Sequence, residues 1–284
     1  MPIKFRQVSK SFVRNHNGHN GSRHVQALNP VDLDIEDGEF VCIIGPSGCG
    51  KSTLMNILAG LETPTTGQVL LDGEVVRGAG PDRVVVFQEH GLMPWMTVRS
   101  NVEYGLKLQG LDKATRRERS EKYLQMVHLS KYAESMPHEL SGGMRQRVSI
   151  ARALALEPKV LLMDEPFSAL DAQTRDLLHD ELQRIWQETA KTILFVTHNL
   201  REAVYLADRV MIMTAQPGSI KKIVSVPFSH PRSKGSTEVS AFTAQLHDLI
   251  RSEVDKVAKR ELDPTWEPEA PAISSDVSDF AGGI

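Results

Sequence analysis

The nine residues GPSGCGKST at 45 to 53 follow the apolar run FVCII and precede the helix-like LMNILAGL, and no other stretch restricts the fold of this chain so strongly. A strand that turns through glycines into a helix leaves the backbone N–H groups of Gly45, Ser47, Gly48, Cys49 and Gly50 free to curl around an anion, with Pro46 stiffening the turn. Lys51 brings a point charge to the β and γ phosphates of a nucleotide, Ser52 offers a hydroxyl to Mg²⁺, and Thr53 completes the set. A glycine, four residues and then Gly-Lys-Ser arise by chance in about one chain in a hundred of this length. The implied fold class is α/β, of the P-loop NTPase type, and the implied ligands are ATP and Mg²⁺.

The rest of the chain supplies the sheet that such a loop needs. VVVF (84 to 87), VLLMD (160 to 164) and TILFVTH (192 to 198) are apolar without alternation, which suits strands of a parallel sheet covered on both faces. Before them, IKFRQVS, VQALNPVDLDIE and VLLDGEVV form an N-terminal antiparallel β region, with Asp37-Gly38 and Asp72-Gly73 expected to close hairpins. Residues from about 98 to 156 are helix-rich and are expected to form a helical lobe. Within it Met144, Val148, Ala151 and Leu154 keep helical spacing and Pro158 ends the run.

VLLMDE at 160 to 165 delivers two carboxylates at the C-terminal end of a strand, the edge of a parallel sheet where ligands collect. Paired with the phosphate loop, Asp164 is expected to hold the Mg²⁺ shell and Glu165 to polarise the attacking water. LSGGMRQR at 140 to 147 adds a second phosphate-seeking element: Ser141 caps the following helix, and Gly142 and Gly143 leave its first N–H groups uncovered.

This last motif resembles the signature of ABC ATPases. The resemblance covers about residues 3 to 225 and implies a mixed sheet core, an antiparallel β region, a helical lobe and a head-to-tail homodimer. Two ATP molecules would be sandwiched, each between the phosphate loop of one copy and the signature of the other. It further implies that Gln88 is the glutamine meeting Mg²⁺ or water beside the membrane subunit. Asp171 in SALD would lie near the dimer seam, His198 would contact the γ-phosphate, and Phe12, shortly after the first strand, would stack on adenine. Within that superfamily, FQEHGLMPWMTVRSNV, LSGGMRQR and MDEPFSALDAQTR look most like import subunits for nitrate, taurine and alkanesulfonates. Such a subunit sits peripherally on the cytoplasmic face of the inner membrane. It drives transmembrane permease subunits and serves, indirectly, a periplasmic or extracellular solute-binding protein. An ABC ATPase without a transporter, such as an iron–sulfur assembly ATPase, remains the alternative; an ATP sensor without turnover would not need the intact Asp164, Glu165 and His198.

Composition narrows the remaining choices. With 33 basic and 36 acidic residues the chain lacks the basic field that binds nucleic acid, and no apolar run reaches the roughly 18 residues that span a bilayer. Cys42 and Cys49 are expected to be reduced thiols. NHNGHNGSRH at 15 to 24 carries His16, His19 and His24, yet a polar Gly/Asn loop is expected to be solvated. The ATPase domain is placed at 1 to 228, a helical extension at 229 to 260, and an acidic tail without Lys or Arg, expected to be disordered, at 261 to 284.

Overall fold

In a computed structural model, residues 2–15, 22–168 and 170–261 are described. Strand β3 (Phe40–Ile44) is buried at all five positions because both its faces are covered. Phe40, Cys42 and Ile44 enter one core, and Val41 and Ile43 enter the other. The same division holds in β7 (Val160–Asp164) and β8 (Thr192–Thr197), which is why none of these strands alternates apolar with polar residues. With β6 (Arg83–Val86), β9 (Arg209–Met213) and β10 (Ile220–Ser225) they form a six-stranded sheet in the order β10-β9-β3-β8-β7-β6. Only β10 runs antiparallel to its neighbour.

The N-terminal region forms a second, antiparallel sheet in the order β2 (Ser22–Ile35), β1 (Ile3–Asn15), β4 (Thr66–Leu71), β5 (Glu74–Val75). Asp72 and Gly73, at φ 54° and 82°, make the expected tight turn between β4 and β5. The hairpin expected at Asp37-Gly38 is not formed. The chain turns there but changes sheets, because β3 is apolar on both faces and is satisfied by parallel neighbours, β8 and β9. Strand β1 is also longer than IKFRQVS: register shifts after Phe5 and Val8 let it bend and continue, so Phe12 lies within the first strand and not after it.

Helix α1 (Lys51–Ala59) follows β3. The helical lobe is built from α2 (Val98–Leu108), α3 (Lys113–Met126) and α4 (Gly142–Ala155), each started by a side-chain cap: Thr97, Asp112 and Ser141. Helices α5 (Ala172–Thr189) and α6 (Leu200–Leu206) return the chain to the sheet, and α7 (Thr237–Glu261) follows β10. The segment before α7 is tied to the sheet domain: the buried Arg232 donates to the carbonyls of Val204 at 2.8 Å and Ala207 at 2.6 Å at the C-terminal end of α6. Val226, Val239 and Leu246 join the same core as the helical lobe. Among the described residues no helix is long and apolar enough to cross a membrane. Both cysteines are free and buried. His16, His19 and residues 262–284 lie outside the described residues, and His24 is exposed on β2.

Candidate active site

Register brings the chemistry to one edge. Ile44 pairs with Thr197, Val196 with Asp164, and Met163 with Val86, so β3, β8, β7 and β6 end level with one another. The residues that follow these ends are Gly45, His198, Glu165 and, two positions on, the exposed Gln88.

The loop at 45 to 50 is shaped by its glycines. Gly50, at φ 92°, is the N-cap of α1 and gives no side-chain cap, so the first N–H groups of α1 have no acceptor from the cap. A Cβ on Gly50 would lie 2.5 Å from Leu28 Cδ2, whereas one on Gly48 would meet nothing within 4 Å. Lys51 is buried, and its ammonium donates to the carbonyls of Gly45 at 2.9 Å and Pro46 at 3.0 Å. An uncapped helix start beside a buried ammonium fits a phosphate group. Burial pushes the Cys49 thiol up, against the pull of Lys51.

Ser52 Oγ donates to Asp164 Oδ1 at 3.2 Å. Burial raises the Asp164 carboxyl above the usual range; the Ser52 hydrogen bond opposes this, the Glu165 charge adds to it, and Lys51 opposes it. A hydroxyl and a carboxylate are hard oxygen donors of the kind that hold Mg²⁺. Glu165 adopts φ 43°, unusual for a residue with a side chain, and its N–H donates to the carbonyl of Val196 at 2.9 Å. His198 Nδ1 and Glu165 Oε2 lie 2.9 Å apart.

The signature residues occupy a different place. Ser141 accepts from the N–H of Met144 at 3.3 Å, as a cap should. Gly143 is buried, and a Cβ there would lie 2.3 Å from Thr174 Cγ2, so its missing side chain lets α4 approach α5. A Cβ on Gly142 would be 3.6 Å from Leu170 Cδ2. Asp171 caps α5, and the backbone hydrogen bond from Thr174 holds its carboxyl below the usual range. Phe12 is 39% exposed, with Lys10 Nζ 5.0 Å from its ring centroid.

Three groups escaped the sequence reading because they act across long separations. His90 Nδ1 lies 2.5 Å from Gln146 Oε1, and Arg152 donates to the carbonyls of His90 at 3.0 Å and Gly91 at 2.7 Å, tying the segment after Gln88 to α4. The buried His179 Nε2 lies 2.6 Å from Glu202 Oε1, and Glu202 also accepts from Thr197, the residue before His198. No local pattern marks these pairs.

The family described as ABC transporter matches residues 28–168. An uncharacterised ABC transporter ATP-binding protein of Methanocaldococcus jannaschii is 51% identical over 240 residues, 84% of this chain and 90% of that protein. A nitrate import ATP-binding protein of Synechocystis is 50% identical over 80% of this chain and 83% of its own length. An aliphatic sulfonates import ATP-binding protein of Bacillus cereus is 43% identical over 83% and 90%. Among solved structures, a dimeric ATP-binding cassette in a post-hydrolysis state, bound to ADP and Pi, superposes with a TM-score of 0.69 at 33% identity over 80% of this chain and all of that one. On its α/β fold and these relatives, the chain belongs to the ABC transporter family, as an ATPase of the kind coupled to transport.

Proposed function

We propose that this chain is the ATP-hydrolysing subunit of an ABC importer, acting as a homodimer on separate permease subunits at the cytoplasmic face of the membrane. The convergence of the phosphate loop, Asp164, Glu165 and His198 on one sheet edge carries this reading. Loop amides and Lys51 bind the phosphates of ATP, with Gly45, Pro46, Ser47, Gly48, Cys49, Gly50, Ser52 and Thr53 forming the cradle. Phe12 presents an exposed ring for adenine. Ser52, Asp164 and Gln88 would hold Mg²⁺, which supplies charge neutralisation for the transferred phosphoryl group.

Glu165 accepts the proton of the attacking water, and His198 fixes the carboxylate that does so. Ser141, Gly142, Gly143 and Asp171 of a second copy complete the site. Closing the dimer around ATP, and opening it after hydrolysis, would drive the permease, which receives solute from a binding protein on the other side of the membrane. The names of the Synechocystis and Bacillus cereus relatives favour nitrate or an alkanesulfonate, and taurine carries the same sulfonate group. The test is steady-state ATP hydrolysis by the purified chain and by Glu165→Gln. Loss of about 100-fold or more with ATP binding retained supports the role of Glu165; a variant near the parent rate overturns it.

A further inference from the structure

The C-terminal part of helix α7, at Glu253, Lys256 and Val257, shares a cavity with Ser47 and Gly48 of the phosphate loop. There Glu253 is only 2% exposed, and its carboxylate accepts from the N–H of Ala215 at 3.1 Å, from Lys221 Nζ at 3.0 Å and from Lys256 Nζ at 2.8 Å. Lys221 reaches α7 twice more, at the Leu249 carbonyl (2.9 Å) and Ser252 Oγ (2.6 Å). Burial works against the Glu253 charge, but the hydrogen bonds from Lys256, Lys221 and Ala215 outweigh it and hold the carboxyl down at about 2. A carboxylate buried and satisfied in this way fixes the geometry of whatever donates to it.

What it fixes is the turn at 214–219, between β9 and β10. The far side of that turn presses on the phosphate loop. Gly218 donates to the carbonyl of Ala27 at 2.9 Å and accepts from the N–H of Asn29 at 2.9 Å, and a Cβ there would lie 1.9 Å from the Cys49 carbonyl oxygen. The turn is therefore wedged between α7 and the loop. The cavity, of about 310 Å³, is lined by all three segments: Ser47 and Gly48 of the loop, Thr214 and Gln216 of the turn, and Lys256 and Val257 of α7.

We propose that α7 braces the phosphate loop through the 214–219 turn, with Glu253 as a positioning residue that couples docking of the helix to occupancy of the loop. The inference rests on the reading that the loop binds nucleotide. A loop held in its binding shape loses less conformational freedom when the ligand arrives, so release of α7 weakens binding. By linkage, bound nucleotide strengthens the docking of α7 by the same factor. The effect falls on binding and not on chemistry, because β9 flanks β3 on the side opposite β8 and β7, the strands that carry His198 and Glu165.

The test compares the full-length parent, Glu253→Ala, Glu253→Gln and Lys51→Ala. ATP and ADP affinity and steady-state hydrolysis are measured together with hydrogen exchange of α7 amides. Glu253→Ala is expected to raise KM and the Kd for ADP about tenfold, a factor of the size common for coupling between sites, with kcat within about twofold. Glu253→Gln keeps an acceptor for the Ala215 N–H but sets its amide NH2 against the Lys221 and Lys256 ammoniums, and is expected to bind more tightly than Glu253→Ala and more weakly than the parent. ADP is expected to slow exchange in α7 of the parent and not of Glu253→Ala.

Parent affinity in a Glu253→Ala protein whose α7 exchanges faster would overturn the brace, as would α7 exchange in the parent that ignores ADP. If Glu253→Ala does not fold, a Glu253→Gln affinity below the parent's together with slower α7 exchange in the ADP-bound parent supports the brace, and parent affinity in Glu253→Gln overturns it. Equal binding by the parent and Lys51→Ala would show instead that the loop is not the nucleotide site, and the brace would fall with that reading.

Discussion

His198 Nδ1 stands 2.9 Å from Glu165 Oε2, joining the ends of two neighbouring parallel strands through the side chains that chemistry at this edge requires. Glu165 reaches that position through a left-handed backbone at φ 43°, a conformation costing roughly 1–3 kcal/mol for a residue with a side chain. Strain of this kind fits a carboxylate held for use. His198→Ala is expected to leave ATP binding close to the parent and to lower kcat at least about tenfold, because the Glu165 carboxylate loses its fixed orientation. Single-turnover hydrolysis with saturating ATP is the check.

Asp164 predicts a trade between stability and function. Burial raises its folded pKa above the unfolded value, so the folded state holds the proton more tightly. Its contribution is most favourable below the unfolded pKa, near 3.8, and is lost as pH rises through the folded pKa; at neutral pH the ionised group is a net cost. Asp164→Asn is therefore expected to raise the melting temperature of the nucleotide-free protein at pH 7 while abolishing Mg²⁺-dependent stabilisation by ATP. Thermal unfolding with and without Mg²⁺-ATP measures both.

Gly50→Ala tests the cradle. Its φ of 92° and the 2.5 Å approach of a Cβ to Leu28 Cδ2 both oppose a side chain. Destabilisation of about 1–3 kcal/mol in urea unfolding is expected, with ATP affinity reduced. Gly48→Ala, where a Cβ meets nothing but φ is 71°, is expected to cost less.

The buried pair His179 and Glu202 supports the strand end that carries His198, since Glu202 also accepts from Thr197 and the Thr197 hydroxyl accepts from the N–H of Asn199 at 3.0 Å. His179→Ala removes one partner of a buried carboxylate and is expected to cost about 1–3 kcal/mol. Lower kcat without a change in ATP affinity is expected alongside. Chemical denaturation and steady-state kinetics on the same preparation separate the two effects.

Much of the site was legible because its residues follow apolar runs. FVCII, VLLMD and TILFVTH announce covered parallel strands, and the groups after them must share one edge once the strands lie level. Strands β9 and β10 were not anticipated: RVMIM is short, and IKKIVS sits at an exposed edge with two lysines that hide its apolar side. Asp37-Gly38 misled because a turn dipeptide fixes local reversal and not the sheet that the next strand joins. His179–Glu202, His90–Gln146 and the contacts of Glu253 with Ala215 and Lys221 join residues 23 to 56 positions apart, beyond the reach of any periodic signal.

The central proposal is that ATP is held between two copies, one supplying Lys51 and the other Ser141. Light scattering on Glu165→Gln tests it most directly. Without nucleotide the chain should run at its 31.5 kDa monomer mass. With Mg²⁺-ATP the mass should double, and adding Ser141→Arg or Lys51→Ala to the same variant should return it to the monomer value. A Glu165→Gln protein that binds ATP and stays at 31.5 kDa would contradict the shared site.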